Sequence, residues 1–192
     1  METKIDYKSI YYPPGGLLIW IVIILELVTF SMALVFLAIS SKENPELFHT
    51  SRLQLNSTYG AINTMLLLTS GFFMATSMHQ LKKSNFDKSR FYLKLTMLGG
   101  VLFLVLKSVE YYEKLQHGLG MGENTFFNFY WLLTGFHVIH VIVGLLIIVS
   151  MYFGIKKKKE NVKIEDAEAG AAFWHMCDLI WLLLFPMLYL IF

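Results

Sequence analysis

Long apolar runs separated by short polar clusters set the plan of this chain. Five runs are long enough to cross a hydrocarbon core of about 30 Å as helices, which takes roughly 20 residues. They are Gly16–Ser40, Tyr59–Met78, Phe91–Glu110, Phe127–Phe153 and Ala171–Phe192. In lipid a segment must satisfy its backbone polar groups internally, so each run is predicted to be helical. The second run is the most polar, with Asn63, Thr64, Thr69 and Ser70. Pro13-Pro14-Gly15-Gly16 breaks the chain just before the first run. The expected fold is all-α: a membrane helix bundle of five transmembrane helices in one domain, residues 1–192.

Composition agrees with this reading. The chain is 56% hydrophobic and only 16% charged, and its charges sit in patches between the apolar runs. The patches set a direction. Lys4 and Lys8 precede the first run; Lys82, Lys83, Lys88 and Arg90 follow the second; Lys156, Lys157, Lys158, Lys159 and Lys163 follow the fourth. The opposite side carries Lys42, Arg52 and Lys114. This bias predicts the N-terminus inside and the C-terminus outside. The four-lysine run is thereby read as a topology signal with a solvated face, and no nucleic-acid partner is expected. Cys177 is the only cysteine, so no internal disulfide can form; it reads as a packing residue. The first run is too long for the core of a cleavable signal peptide. No nucleotide-binding fingerprint, Cys-x-x-Cys or His-Glu-x-x-His is present.

The candidate chemistry lies in ionisable residues within the runs, which are costly there. Glu26 falls about ten residues into the first run, roughly 15 Å deep. It reads either as a proton-exchanging group or as a neutral acid hydrogen-bonded to another helix. His137 and His140 in "LLTGFHVIHVIVGLL" are three apart and share a face, which Gly144 continues. Small residues let a second helix approach. Their depth is broadly that of Glu26, so a Glu–His contact is expected to be feasible. A metal site would need three or four ligands, and haem needs ligands facing one another. His175, one turn into the fifth run, reads as too shallow to join them. Trp174, Asp178 and Trp181 form a stripe at the inner interface, where Trp serves as an anchor, and His175 lies within reach of Asp178. This group is expected to contact lipid or a partner subunit. Lys107, one turn before Glu110, can snorkel or pair with it.

Several stretches resemble one family in its own order. "TGFHVIHVIVG" resembles the "TGFHxxHVxxG" stretch of cytochrome c oxidase subunit III, and "WHMCDLIWLLLF" its C-terminal "WHFVDxVWLFLF" helix. "INTMLLLTSG" is similar to its "NTxxLLxSG" helix and "LKSVEYYE" to its "xxxEYYE" helix end. Glu26 falls where the family carries an intramembrane Glu, although Leu25-Glu26 stands in place of Ser-Glu. The resemblance covers about residues 16–190 and matches the last five helices of the seven that many members have. A lysine run replaces the family's His-rich loop before the last helix, while Glu168 matches its acidic residue.

The resemblance implies a non-catalytic accessory subunit of a haem–copper terminal oxidase in a bacterial cytoplasmic membrane. It implies no haem, copper or other metal in this chain; those belong to the partners, oxidase subunits I and II. It implies bound phospholipid, stabilisation of subunit I and support of proton uptake. Glu26, His137 and His140 then form a polar network in the bundle and no residue is catalytic. A five-helix accessory subunit of a nitric oxide reductase is the alternative. A small proton-conducting transporter is a third reading, against which no run is broken at mid-membrane by Gly or Pro.

Overall fold

The computed structural model describes residues 13–157 and 163–191. Six helices follow one another: α1 Leu17–Glu43, α2 Pro45–Leu53, α3 Ser57–Lys82, α4 Phe86–Gln116, α5 Thr125–Lys157 and α6 Ile164–Tyr189. All but α2 are long and apolar enough to cross a membrane. The expected five spans are therefore present, with one short helix added. Lys4, Lys8, Lys158 and Lys159 of the orientation signal, and the last residue of the fifth run, lie outside the described residues.

Most of the helices outrun the apolar runs, and two of them start at side-chain caps. Asn56 accepts a hydrogen bond from the Thr58 amide and starts α3. Asn124 does the same for the Phe127 amide at the start of α5. The α3–α4 turn closes by Ser84 N–H to the Leu81 carbonyl and Asn85 N–H to the Gln80 carbonyl, both 2.9 Å. That pattern needs a left-handed residue, and Ser84 supplies it at φ 59°. The short α2 begins with Pro45 in its first turn, where a missing amide costs nothing.

The bundle buries several polar groups within its apolar core and exposes large apolar side chains on its outer surface. α3 and α4 pair as an antiparallel hairpin, and α6 lies against α1, α3 and α5. Ser70 Oγ donates to the Thr96 carbonyl and Ser77 Oγ to the Ser89 carbonyl, both 2.9 Å, between α3 and α4. The polar residues that set α3 apart in sequence thus serve helix packing. On α1, by contrast, Leu18, Ile21, Ile24, Leu25 and Val28 are exposed. Such a surface suits lipid or another membrane chain.

Two aromatic anchors are in the core, not at an interface. Trp174 is 0% exposed and Trp181 1%. A Cβ on Gly144 would come within 2.8 Å of the Trp174 ring, and one on Gly100 within 2.6 Å. Trp174 Nε1 donates to Ser70 Oγ at 3.1 Å. One indole thus fills the space among α3, α4 and α5. Trp181 Nε1 donates to Thr64 Oγ1 at 3.0 Å. The interfacial anchoring expected of both residues is corrected. Both indoles sit on the face of α6 that turns into the bundle, with their N–H groups held by Ser70 and Thr64 of α3.

Candidate functional site

Three polar groups lie inside the bundle. The first joins α1 to α5. Glu26 Oε2 stands 3.3 Å from His140 Nε2, with side chains 21% and 11% exposed. The contact falls short of hydrogen-bond geometry, and Glu26 Oε2 has no other partner. His140 Nδ1 lies 2.8 Å from the Phe136 carbonyl, an N–H donation that leaves Nε2 as the acceptor facing the acid. Phe30 and Phe136 pack around the imidazole, with centroids 5.8 and 4.6 Å away. The arrangement brings a carboxyl and an imidazole together at the membrane-facing edge of the bundle, where a proton could be held between them.

His137 shares the α5 face but not the contact. It is fully buried, and neither ring nitrogen has a hydrogen-bond partner among the described residues. Its ring packs 5.3 Å from Trp181 and 5.7 Å from Phe103.

The second group is on α6. His175 Nδ1 lies 3.4 Å from Asp178 Oδ2, and Asp178 Oδ1 is buried without a partner. Gly71 makes room for the carboxylate, since a Cβ there would stand 2.3 Å from Asp178 Oδ2. The shallow position expected for His175 is corrected too. Phe173 stacks 6.3 Å from the His140 ring, so this part of α6 lies near the level of the central pair. His175 is separated from that pair by direction, not by depth. It lines a groove of about 480 Å³ between α1, α3 and α6. Ile23, Leu27 and Leu179 form apolar walls, and Lys82 and Glu168 pair at 2.7 Å on its rim.

The third group is the most deeply buried. Lys107 and Glu110 are 1% and 0% exposed. Lys107 Nζ donates to Glu110 Oε2 at 3.0 Å, Tyr189 Oη at 2.8 Å and Tyr130 Oη at 3.3 Å. Tyr130 and Tyr189 hydroxyls donate onward to Glu110 Oε1 at 2.9 and 2.5 Å. All three ammonium protons thus find acceptors. The rings of Tyr111, Tyr130, Trp181 and Tyr189 surround the charge at 4.9–5.4 Å. Of the two options open in sequence, Lys107 pairs and does not snorkel. The tyrosines were not singled out in sequence. Glu110 to Tyr189 spans 79 residues, and only the return of α6 against α3 and α5 brings the Tyr189 side chain across to Glu110.

Among the described residues, no three His, Cys, Asp or Glu side chains gather in a way that could hold a metal ion. Glu26–His140 and His175–Asp178 are pairs.

The sequence profile of cytochrome c oxidase subunit III matches residues 52–191. Over 130 residues the chain is 32% identical to cytochrome c oxidase subunit 3 of Rhipicephalus sanguineus, covering 67% of this chain and 49% of that one. The same protein of Thermostichus vulcanus is 32% identical over 132 residues, 68% of this chain and 64% of its own. Cytochrome bo(3) ubiquinol oxidase subunit 3 of Buchnera aphidicola subsp. Schizaphis graminum is 28% identical over 180 residues, 90% of this chain and 91% of that one. The match thus spans about half to just under two thirds of the first two relatives, but nearly all of the third. With a family profile matched over well more than half its length, this chain belongs to the cytochrome c oxidase subunit III family.

Proposed function

We propose that this chain is the non-catalytic accessory subunit III of a haem–copper terminal oxidase. The match to bo(3) oxidase subunit 3 over 91% of that protein's length carries the reading. As one membrane domain, the chain would dock on subunit I, with subunit II in the same complex. Haem and copper would sit in those partners, and the electron donor would be a cytochrome c or a quinol. The N-terminus would face the cytoplasm and the C-terminus the outer side of a bacterial cytoplasmic membrane, as the lysine bias indicates.

Two features support finer roles. Glu26 and His140 form a carboxyl–imidazole pair near mid-membrane, at an edge that a partner or lipid would cover. They would hold a proton or stiffen the bundle, with His137 packed behind them on the same face of α5. The groove beside His175 has apolar walls and a charged rim at Lys82 and Glu168, chemistry that suits a phospholipid. The polar pair His175–Asp178 would face that lipid.

Purification of the tagged chain in mild detergent from its native membrane tests the assignment. Recovery of a haem–copper subunit I with an oxygen-reductase spectrum is expected. Recovery of the chain alone, or with nitric oxide reductase subunits, would refute it.

A further inference from the structure

One face of α5 carries a continuous polar stripe: His140, His137, Thr134 and Tyr130, at spacings of three, three and four. All four are at least nine-tenths buried. The stripe runs about 15 Å along the helix, half the thickness of a hydrocarbon core. Every member but one is partnered. His140 meets Glu26 and the Phe136 carbonyl. Thr134 donates to the Tyr130 carbonyl and accepts from the Tyr111 hydroxyl at 2.8 Å. Tyr130 joins Lys107 and Glu110. His137, in the middle, has no partner for either nitrogen.

A second residue is in the same condition. Asn63 of α3 is 0% exposed, and both its amide oxygen and its amide nitrogen lack partners among the described residues. Its place relative to His137 follows from Trp181. The Trp181 indole donates to Thr64, the residue next to Asn63, while its ring lies against His137 and Phe103. Gly60, one turn from Asn63, packs under Phe185 and Tyr189. Asn63 and His137 thus belong to one level of the bundle, one turn from the Lys107–Glu110 cluster.

Four fully buried polar atoms at one level call for a small group that both donates and accepts. An ion is not required, because Lys107 and Glu110 already neutralise each other. Buried water characteristically makes about three hydrogen bonds to such groups. We propose that internal water, bound at His137 and at Asn63, satisfies these two buried side chains at the level between the Glu26–His140 pair and the Lys107–Glu110 cluster. This goes beyond the accessory role and does not depend on which partner the chain serves.

A cryo-EM map of the intact complex, at a resolution that shows ordered water, tests the proposal directly. Density within hydrogen-bonding distance of a His137 nitrogen and of the Asn63 amide is expected. Density at neither residue, or at only one, overturns the proposal. A second measurement reads its energetics in the same complex. If the two side chains hold water, His137→Phe and Asn63→Leu each strand it and lower the thermal midpoint by about 2–4 °C. His137→Gln, which keeps a donor and an acceptor, retains the midpoint. If the polar atoms are simply orphaned, apolar replacement is neutral or stabilising. An unchanged or raised midpoint in either apolar variant therefore counts against the proposal.

Discussion

Removing the charge of Glu110 should be among the most damaging conservative changes in this protein. In Glu110→Gln the side-chain shape stays and the counter-ion goes. Lys107, 1% exposed, is left with neutral acceptors and aromatic rings and no anionic partner. Breaking a buried ion pair from one side costs about 3–5 kcal/mol. For a chain of this size that is a fall of about 6–20 °C in thermal midpoint. Lys107→Met should cost less, because Glu110 keeps the Tyr130 and Tyr189 donors. The double variant removes both charges and leaves no unpaired ion. Its loss should fall short of the sum of the single losses by up to about 3 kcal/mol. Tryptophan fluorescence follows the transition in detergent, since Trp181 packs near the Lys107 ammonium. Fully additive losses would refute the reasoning, for they would mean that the two charges do not share one buried environment.

Other outcomes follow from single contacts. Ser84→Gly should stabilise the protein by about 1 kcal/mol, since glycine adopts the left-handed turn at no steric cost; an unchanged midpoint in thermal unfolding would contradict the turn geometry. Gly144→Ala should destabilise by about 1–3 kcal/mol, as the new methyl meets the rigid Trp174 ring; a neutral result in the same assay would mean the ring is free to move. A hydrophobic carbodiimide should label Glu26, whose side chain is 21% exposed at the bundle edge, and spare the fully buried Glu110. Peptide mapping that found the reverse would place Glu26 in the core. A reporter fused after Phe192 should be active only on the outer side of the membrane, and cytoplasmic activity would invert the proposed topology.

Hydropathy made the five spans legible because each run exceeds the length a bilayer demands. Their ends were not legible to the same degree. Hydropathy marks the hydrocarbon, while the helices continue to Asn56, Ser84 and Asn124. The start of α6 is the costly case. Glu165, Asp166 and Glu168 hide seven helical residues inside a polar stretch, so hydropathy alone did not show how far α6 extends before Trp174 and His175. Pro45 after Asn44 does signal a helix start, yet α2 is too short and too polar to stand out by periodicity. Within the site, local spacing placed His137 and His140 on one face, and depth alone suggested Glu26 as a neighbour. The same spacing paired Lys107 with Glu110. What spacing could not supply was the closure by Tyr130 and Tyr189, because it depends on how α5 packs against α4 and α6 against α3 and α5.

The central claim is that this chain supports a catalytic partner without carrying the chemistry itself. The direct test is to strip the chain from the purified oxidase complex and follow haem absorbance together with oxygen consumption through sustained turnover. The account predicts that haem stays with the remaining subunits, that the initial rate is largely kept, and that activity then decays faster than in the intact complex, with re-addition of the chain restoring its durability. Loss of the haem spectrum with the departing chain, or a complete absence of initial activity in an otherwise intact complex, would contradict it.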